Sequence, residues 1–238
     1  MPLATVTRPA EPRTAEILDS IKGVFAAKGF EGASMQDLAK AAGMSAGNFY
    51  RYFPSKDAII AALIERDLAE VQDEFNQIIS SNTPAETFRN LVRTRVENPD
   101  PAEEAIITQI EALAVRMPAI AALKARMESE ILGYLVAAFG RIANVGPDAA
   151  AQHFAAHGKL VMLLIRGLSA CCCGPGAASG AASGGASGGA SGGASGGATI
   201  LTPDPALAEL VLTTLDRTLA DVVAIGANLP RPTFPETT

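Results

Sequence analysis

Six side chains within the run Ser34 to Lys56, SMQDLAKAAGMSAGNFYRYFPSK, collect the groups that read nucleic acid. They are the hydroxyl of Ser45, the methyl of Ala46, the amide of Asn48, the phenols of Tyr50 and Tyr52, and the guanidinium of Arg51. Such groups read base edges in a groove and hold phosphate oxygens beside it. To act together they must share the exposed side of one short helix. Ser45 caps that helix, and Phe49 at i+4 points inward. Pro54 cannot continue it, and Ser55 restarts a new one. Just before, Ser34 is a good N-cap, and Asp37 three residues on can return the bond as a capping box does. Leu38 and Ala41 give this first short helix an inward face, and Gly43 supplies the left-handed residue that ends it. Small Ala39 lets the two helices cross closely, which a helix-turn-helix requires.

The elements that must position this unit flank it. Thr14 to Lys28 reads as an amphipathic helix, with Ile17, Ile21, Val24 and Phe25 at helical spacing and Gly29 as its stop. Phe30 and Met35 plug the core beneath. Ser55 opens a long helix reaching about Ile79, striped by Ile60, Leu63, Ile64, Leu68, Val71, Phe75 and Ile78. At ~1.5 Å per residue it spans roughly 36 Å, enough to join a head to a separate body. Lys56 stands in its first turn, where the helix dipole disfavours a cation. A charge placed against that local preference points to an outside anion such as a DNA phosphate.

From about Glu11 to Val71 the chain resembles the DNA-binding head of TetR/AcrR-type repressors, through ILDSIKGVFAAKGFEGASM and LAKAAGMSAGNFYRYFPSKDAI. The resemblance covers about a quarter of the chain. It implies an all-α protein: a flexible arm at 1–10, a three-helix head at 11–71 with its helix-turn-helix at about 34–53, and a body of about six helices at 72–238. It implies that Ser34, Tyr50, Tyr52 and Lys56 hold phosphates, and that Ser45, Ala46, Asn48 and Arg51 sit on the base-facing helix. The family's motif often has a smaller residue at position 48 and an aliphatic one where Phe49 stands, so no operator sequence carries over. The family further implies a homodimer through the last two long helices (about 148–172 and 205–225), a small-molecule effector, and repression relieved by that effector. It implies no cofactor.

The body reads as helices throughout: Ala85 to Glu97, Ala102 to Val115, Pro118 to about Ala143, Asp148 to about Cys172, and Pro205 to about Ile225. The last is apolar on two faces, as a helix serving both a core and a partner subunit is. Phe88, Met117, Met127 and Tyr134, with the polar groups of Gln109, Arg116, His153 and His157, can line an apolar cavity with few orienting contacts. Between the last two helices, residues 174–198 end in four SGGA units. Such a composition cannot bury apolar area to offset its ordering entropy and reads as a disordered tether of roughly 25–30 Å r.m.s. span.

Other chemistries find less support. Gly43-Met44-Ser45-Ala46-Gly47 satisfies G-x-S-x-G, but a serine hydrolase at Ser45 needs a hydrophobic strand before it, and LAKAA is helical. His153 and His157 share a helix face without an obvious third ligand beyond Asp148, short of what zinc needs. Cys171, Cys172 and Cys173 are adjacent, so they read as small buried thiols in a reducing compartment rather than a disulfide set. No leader and no membrane span is visible, and a cytoplasmic protein is expected. The net charge is −6, yet residues 1–60 hold seven Lys/Arg against six Asp/Glu. An acidic body with a near-neutral head suits a local phosphate footprint. The remaining competitor is a helical interaction protein that needs no ligand.

Overall fold

The computed structural model describes residues 12–172 and 204–231. The expectations for the arm at 1–10, the run at 174–198 and Cys173 fall outside the described residues, as do the side chains of Cys171 and Cys172 at the end of the last described turn. Among those residues all regular structure is helical: α1 (Pro12–Gly32), α2 (Met35–Ala41), α3 (Ala46–Tyr52), α4 (Lys56–Ser80), α5 (Pro84–Glu97), α6 (Pro101–Ala114), α7 (Pro118–Ala143), α8 (Pro147–Cys172) and α9 (Pro205–Ala227). None of these is long and apolar enough to cross a membrane.

Local chemistry sets most helix ends. Proline stands in the first turn of α5, α6, α7 and α9. There its missing N–H would have had no partner and its fixed φ suits the helix. The sequence reading starts α5, α6 and α8 one residue later because it treats those prolines as breaks. Asp100 and Asp204 cap α6 and α9 by accepting from Ala102 N and Ala206 N. Gly29 takes φ 71°, but the helix resumes after the kink and runs on to Gly32, three residues beyond the expected stop.

Two apolar cores result. The first joins Leu18, Ile21 and Phe25 of α1 to Leu38 of α2, Phe49 of α3 and Ile59 and Leu63 of α4. Within α2 the buried residues are Leu38 and Ala39, while Ala41 is exposed. The inward stripe runs Met35–Leu38–Ala39–Ala42, the i, i+3, i+4, i+7 pattern, so Ala41 falls off it. Ile106, Ile110 and Leu113 of α6 and Ile120 of α7 belong to this same core. The head is therefore packed directly onto the body, and α4 is not its sole connection.

The second core fills the body. A chain of aromatic rings crosses it, Phe75–Phe88–Phe139–Phe154, with centroids 6.3, 5.5 and 6.4 Å apart. The last two contacts are edge-on, the arrangement the ring quadrupole favours. α9 lies so close to α7 that a Cβ at Gly226 would stand 2.7 Å from the Ala143 carbonyl oxygen.

Candidate nucleic-acid interface and inner cavity

The capping box at α2 forms as its residues predict. Asp37 N donates to Ser34 Oγ at 3.1 Å, and Ser34 N and Oγ donate to Asp37 Oδ2 at 3.0 and 2.7 Å. Lys28 Nζ donates to the other Asp37 oxygen at 2.8 Å. The Lys28 hydrogen bond, then those from Ser34, hold the Asp37 carboxyl well below the usual carboxylate range. Gly43 takes φ 65° in the turn, a conformation glycine adopts without a Cβ penalty. Ser45 then caps α3, its Oγ accepting from Asn48 N at 3.4 Å.

Phe49 anchors α3. It is fully buried and its ring lies 5.6 Å from Phe53. With that residue inward, Ala46, Asn48 and Arg51 are exposed, as are Tyr50 and Tyr52 at 48% and 38%. Ser45 is exposed at the helix start. The structure thus leaves all six side chains singled out in the sequence exposed on one short helix and its cap.

Lys56 has an internal answer to its apparent misplacement. Its Nζ donates to Phe30 O at 2.7 Å and Glu31 O at 3.2 Å. The ammonium sits at the carbonyl end of α1, where a dipole welcomes a cation, and this tethers the start of α4 to the end of α1. An outside anion is not needed to explain it. Two of its three N–H groups are spoken for. The Ser34 hydroxyl is likewise committed, donating to Asp37 while accepting from its amide.

A cavity of about 330 Å³ lies inside the body, walled by α4, α5, α6, α7 and α8. Of the eight residues expected to line it, Phe88 and Met127 do. Gln109, Arg116, Met117, Tyr134, His153 and His157 lie elsewhere, a correction that helical phase accounts for at Gln109, Tyr134 and the two histidines, and the end of α6 at Arg116 and Met117. On α6 the cavity takes Glu103, Ile107, Thr108, Ile110 and Glu111. Gln109 instead faces α1, where its Oε1 accepts from Phe30 N at 2.7 Å and its Nε2 donates to Phe25 O at 3.1 Å. Just beyond α6, Arg116 pairs with Glu31 at 2.8 Å, and Met117 packs against the first core. Tyr134 packs on Phe75 at 5.9 Å, and burial, then Glu130, pushes its phenol up. His157 sits edge-on to Phe154 at 5.9 Å, one turn beyond the half-buried His153.

The cavity wall carries charges that the sequence reading missed. Their signal was present: Ile64, Asp67, Val71 and Glu74 recur at 3, 4 and 3, so two carboxylates stand within the apolar stripe of α4. Arg95 pairs with Glu74 at 2.7 Å. Lys124 and Arg166 both pair with Glu128, the latter at 2.6 Å. Burial works to raise the Glu128 carboxyl, but these two cations hold it below its ordinary value. Arg66, almost wholly buried, reaches Asp19 of α1 at 2.7 Å, Glu70 at 3.4 Å and Asp67 at 3.8 Å. Burial, then the Glu103 charge, pushes Asp67 up to about 7 against the pull of Arg66 and Lys22.

Residues 17–63 match the bacterial regulatory proteins of the tetR family. The chain is similar to the HTH-type transcriptional regulator UidR of Escherichia coli (strain K12), 30% identical over 118 residues, which is 48% of this chain and 58% of that protein. It is also similar to the HTH-type transcriptional repressor KstR2 of Rhodococcus jostii (strain RHA1), 28% identical over 106 residues, covering 44% of this chain and 52% of that one. The chain thus spans somewhat more than half the length of these curated relatives. Salmonella enterica GusR has the same fold, with a TM-score of 0.60 at 23% identity over 89% of this chain and 98% of that one. So does a transcriptional regulator from Rhodococcus sp. Rha1, with a TM-score of 0.58 at 18% identity over 91% and 99%.

Proposed function

We propose, from the premise that this chain carries a tetR-family head on a tetR-like all-α fold, that it is a homodimeric DNA-binding repressor released from its operator by a small amphipathic ligand. The observation that carries the reading is α3: one aromatic residue buried, and every side chain capable of reading DNA left in the open. In this reading the head is 11–71 and the body 72–238. Ser45, Ala46, Asn48 and Arg51 face bases. Tyr50 and Tyr52 hold phosphates, joined by Ser34 and by the remaining N–H of Lys56.

The G-x-S-x-G alternative has no support in the geometry. Residues before Ser45 form a helix and a turn, and Ser45 spends its oxygen on the α3 cap. An elbow needs a strand to project its serine.

Dimerisation through α8 and α9 is supported by Leu160, Leu163, Leu210 and Val223, which are all exposed. Two heads on a dimer read two half-sites about one turn apart, ~34–36 Å. Selection of bound DNA from a random library should return a near-palindrome with that spacing. Recovery of unordered sequence, with Arg51→Ala binding DNA as tightly as the parent, would overturn the reading.

Effector and operator are coupled through α6. This helix presents one side to the cavity and, through Gln109, clamps the kinked end of α1. A ligand that shifts α6 therefore moves the head, and linkage requires operator DNA to weaken ligand binding by the same factor. Gln109→Ala removes the side-chain partners of the Phe30 N–H and the Phe25 carbonyl and should cost ~1–3 kcal/mol in urea unfolding. Hydrogen exchange should accelerate selectively at amides 25–33. Uniform acceleration across the body instead would show that Gln109 is no clamp.

A further inference from the structure

We propose that the cavity takes an amphipathic organic cation, its apolar part among Ile64, Val71, Phe75, Phe88 and Ile131 and its ammonium between Asp67 and Glu103. This deepens, and rests on, the reading of the cavity as the effector site.

The argument is one of charge compensation along the cavity wall. The wall's cations are already answered: Arg95 by Glu74, and Lys124 and Arg166 by Glu128, with Glu111 a further 3.8 Å from Lys124. Its anions are not. Among the described residues no ion pair reaches Glu103. Asp67 has only the buried Arg66 at 3.8 Å, which also serves Asp19 at 2.7 Å and Glu70 at 3.4 Å. The groups bearing on Asp67 are thus Glu103 from α6, Lys22 from α1, and Arg66 and Glu70 from α4 itself, with burial the largest influence. An anionic ligand would add to this surplus. A neutral one would leave that surplus in place. A cation supplies the missing partner in surroundings where an ion pair is far less screened than in water.

Three ligands of matched shape separate these cases: 4-phenylbutylamine, 4-phenylbutanol and 4-phenylbutyrate, titrated calorimetrically into the full-length protein. The amine should bind at least about tenfold more tightly than the alcohol at pH 8, and the carboxylate more weakly than either. Because Asp67 releases its proton near pH 7, the amine's affinity should rise about tenfold from pH 6 to pH 8 while the alcohol's stays flat. Asp67→Asn and Glu103→Gln, each confirmed folded by circular dichroism, should shrink the preference for the amine.

Equal or tighter binding of the alcohol or carboxylate, binding of none of the three, or an amine preference that survives both substitutions would overturn the proposal. Release of selected operator DNA is read in the same samples. If the amine binds with the stated preference and pH dependence yet leaves operator affinity unchanged, the cation site stands and the effector reading falls.

Discussion

Replacing Leu163 and Leu210 together by glutamate is expected to convert the protein to a monomer and to weaken operator binding by about 10²–10⁴-fold. The size follows from linkage of two heads: once one head is docked, the second binds as if at millimolar concentration, and that gain vanishes when the heads part. The residues are chosen on exposure. Leu163 is 67% exposed on α8 and Leu210 59% exposed on α9, and α8 and α9 pack against each other. Leu160 lies one turn before Leu163 on the same face, and Val223 adds a further exposed apolar group on α9. A single exposed leucine is ordinary. Several on two adjoining helices form the kind of patch that marks an interface. Because neither side chain belongs to the buried cores, the monomer should keep its helicity. Sedimentation velocity and fluorescence anisotropy on selected operator DNA read the two quantities. A variant that stays dimeric, or a monomer that binds the full operator as tightly as the parent, would place the partner contact elsewhere.

Asp67→Asn should stabilise the protein at pH 8 and change little near pH 4. In the unfolded chain this carboxyl titrates near its ordinary 3.8, whereas in the fold burial and then Glu103 push it up to about 7. Between those values the folded state holds a proton that the unfolded state has already released. Stability therefore falls as pH rises through that window and levels off above about 7. A shift of about three units corresponds to roughly 4 kcal/mol at most, since the side chain keeps some contact with water. Asparagine preserves the shape without the charge and removes the penalty. Urea midpoints of parent and variant at pH 4 and pH 8 test this, and a variant no more stable than the parent at pH 8 would show that the Asp67 charge is solvated.

The reach of the sequence differs between the two sites. For the reading helix, local rules suffice. Ser34, Asp37, Gly43, Ser45 and Pro54 each act on backbone within about four residues, and Phe49 alone fixes which side of α3 turns in. Helix bounds follow the same local chemistry, missing where proline begins a helix rather than breaking one and where Gly29 kinks a helix rather than ending it. For the cavity, local rules mislead. Gln109 and Tyr134 are polar or aromatic residues on the right helices, yet they face other neighbours. Asp67 stands in plain view in an apolar stripe, but its weight emerges only beside Glu103.

What this sequence determined by itself is an all-α chain with a capped helix-turn-helix whose open face carries hydroxyl, amide, phenol and guanidinium groups, because capping, turn geometry and apolar period act over a few residues. Only the tertiary structure decided that Lys56 holds the end of α1, that Gln109 clamps Phe25 and Phe30 from 84 and 79 residues away, and that the cavity carries surplus negative charge. Those facts depend on which faces of distant helices meet. That choice is made by the packing of all of them at once, and no short window of sequence encodes it.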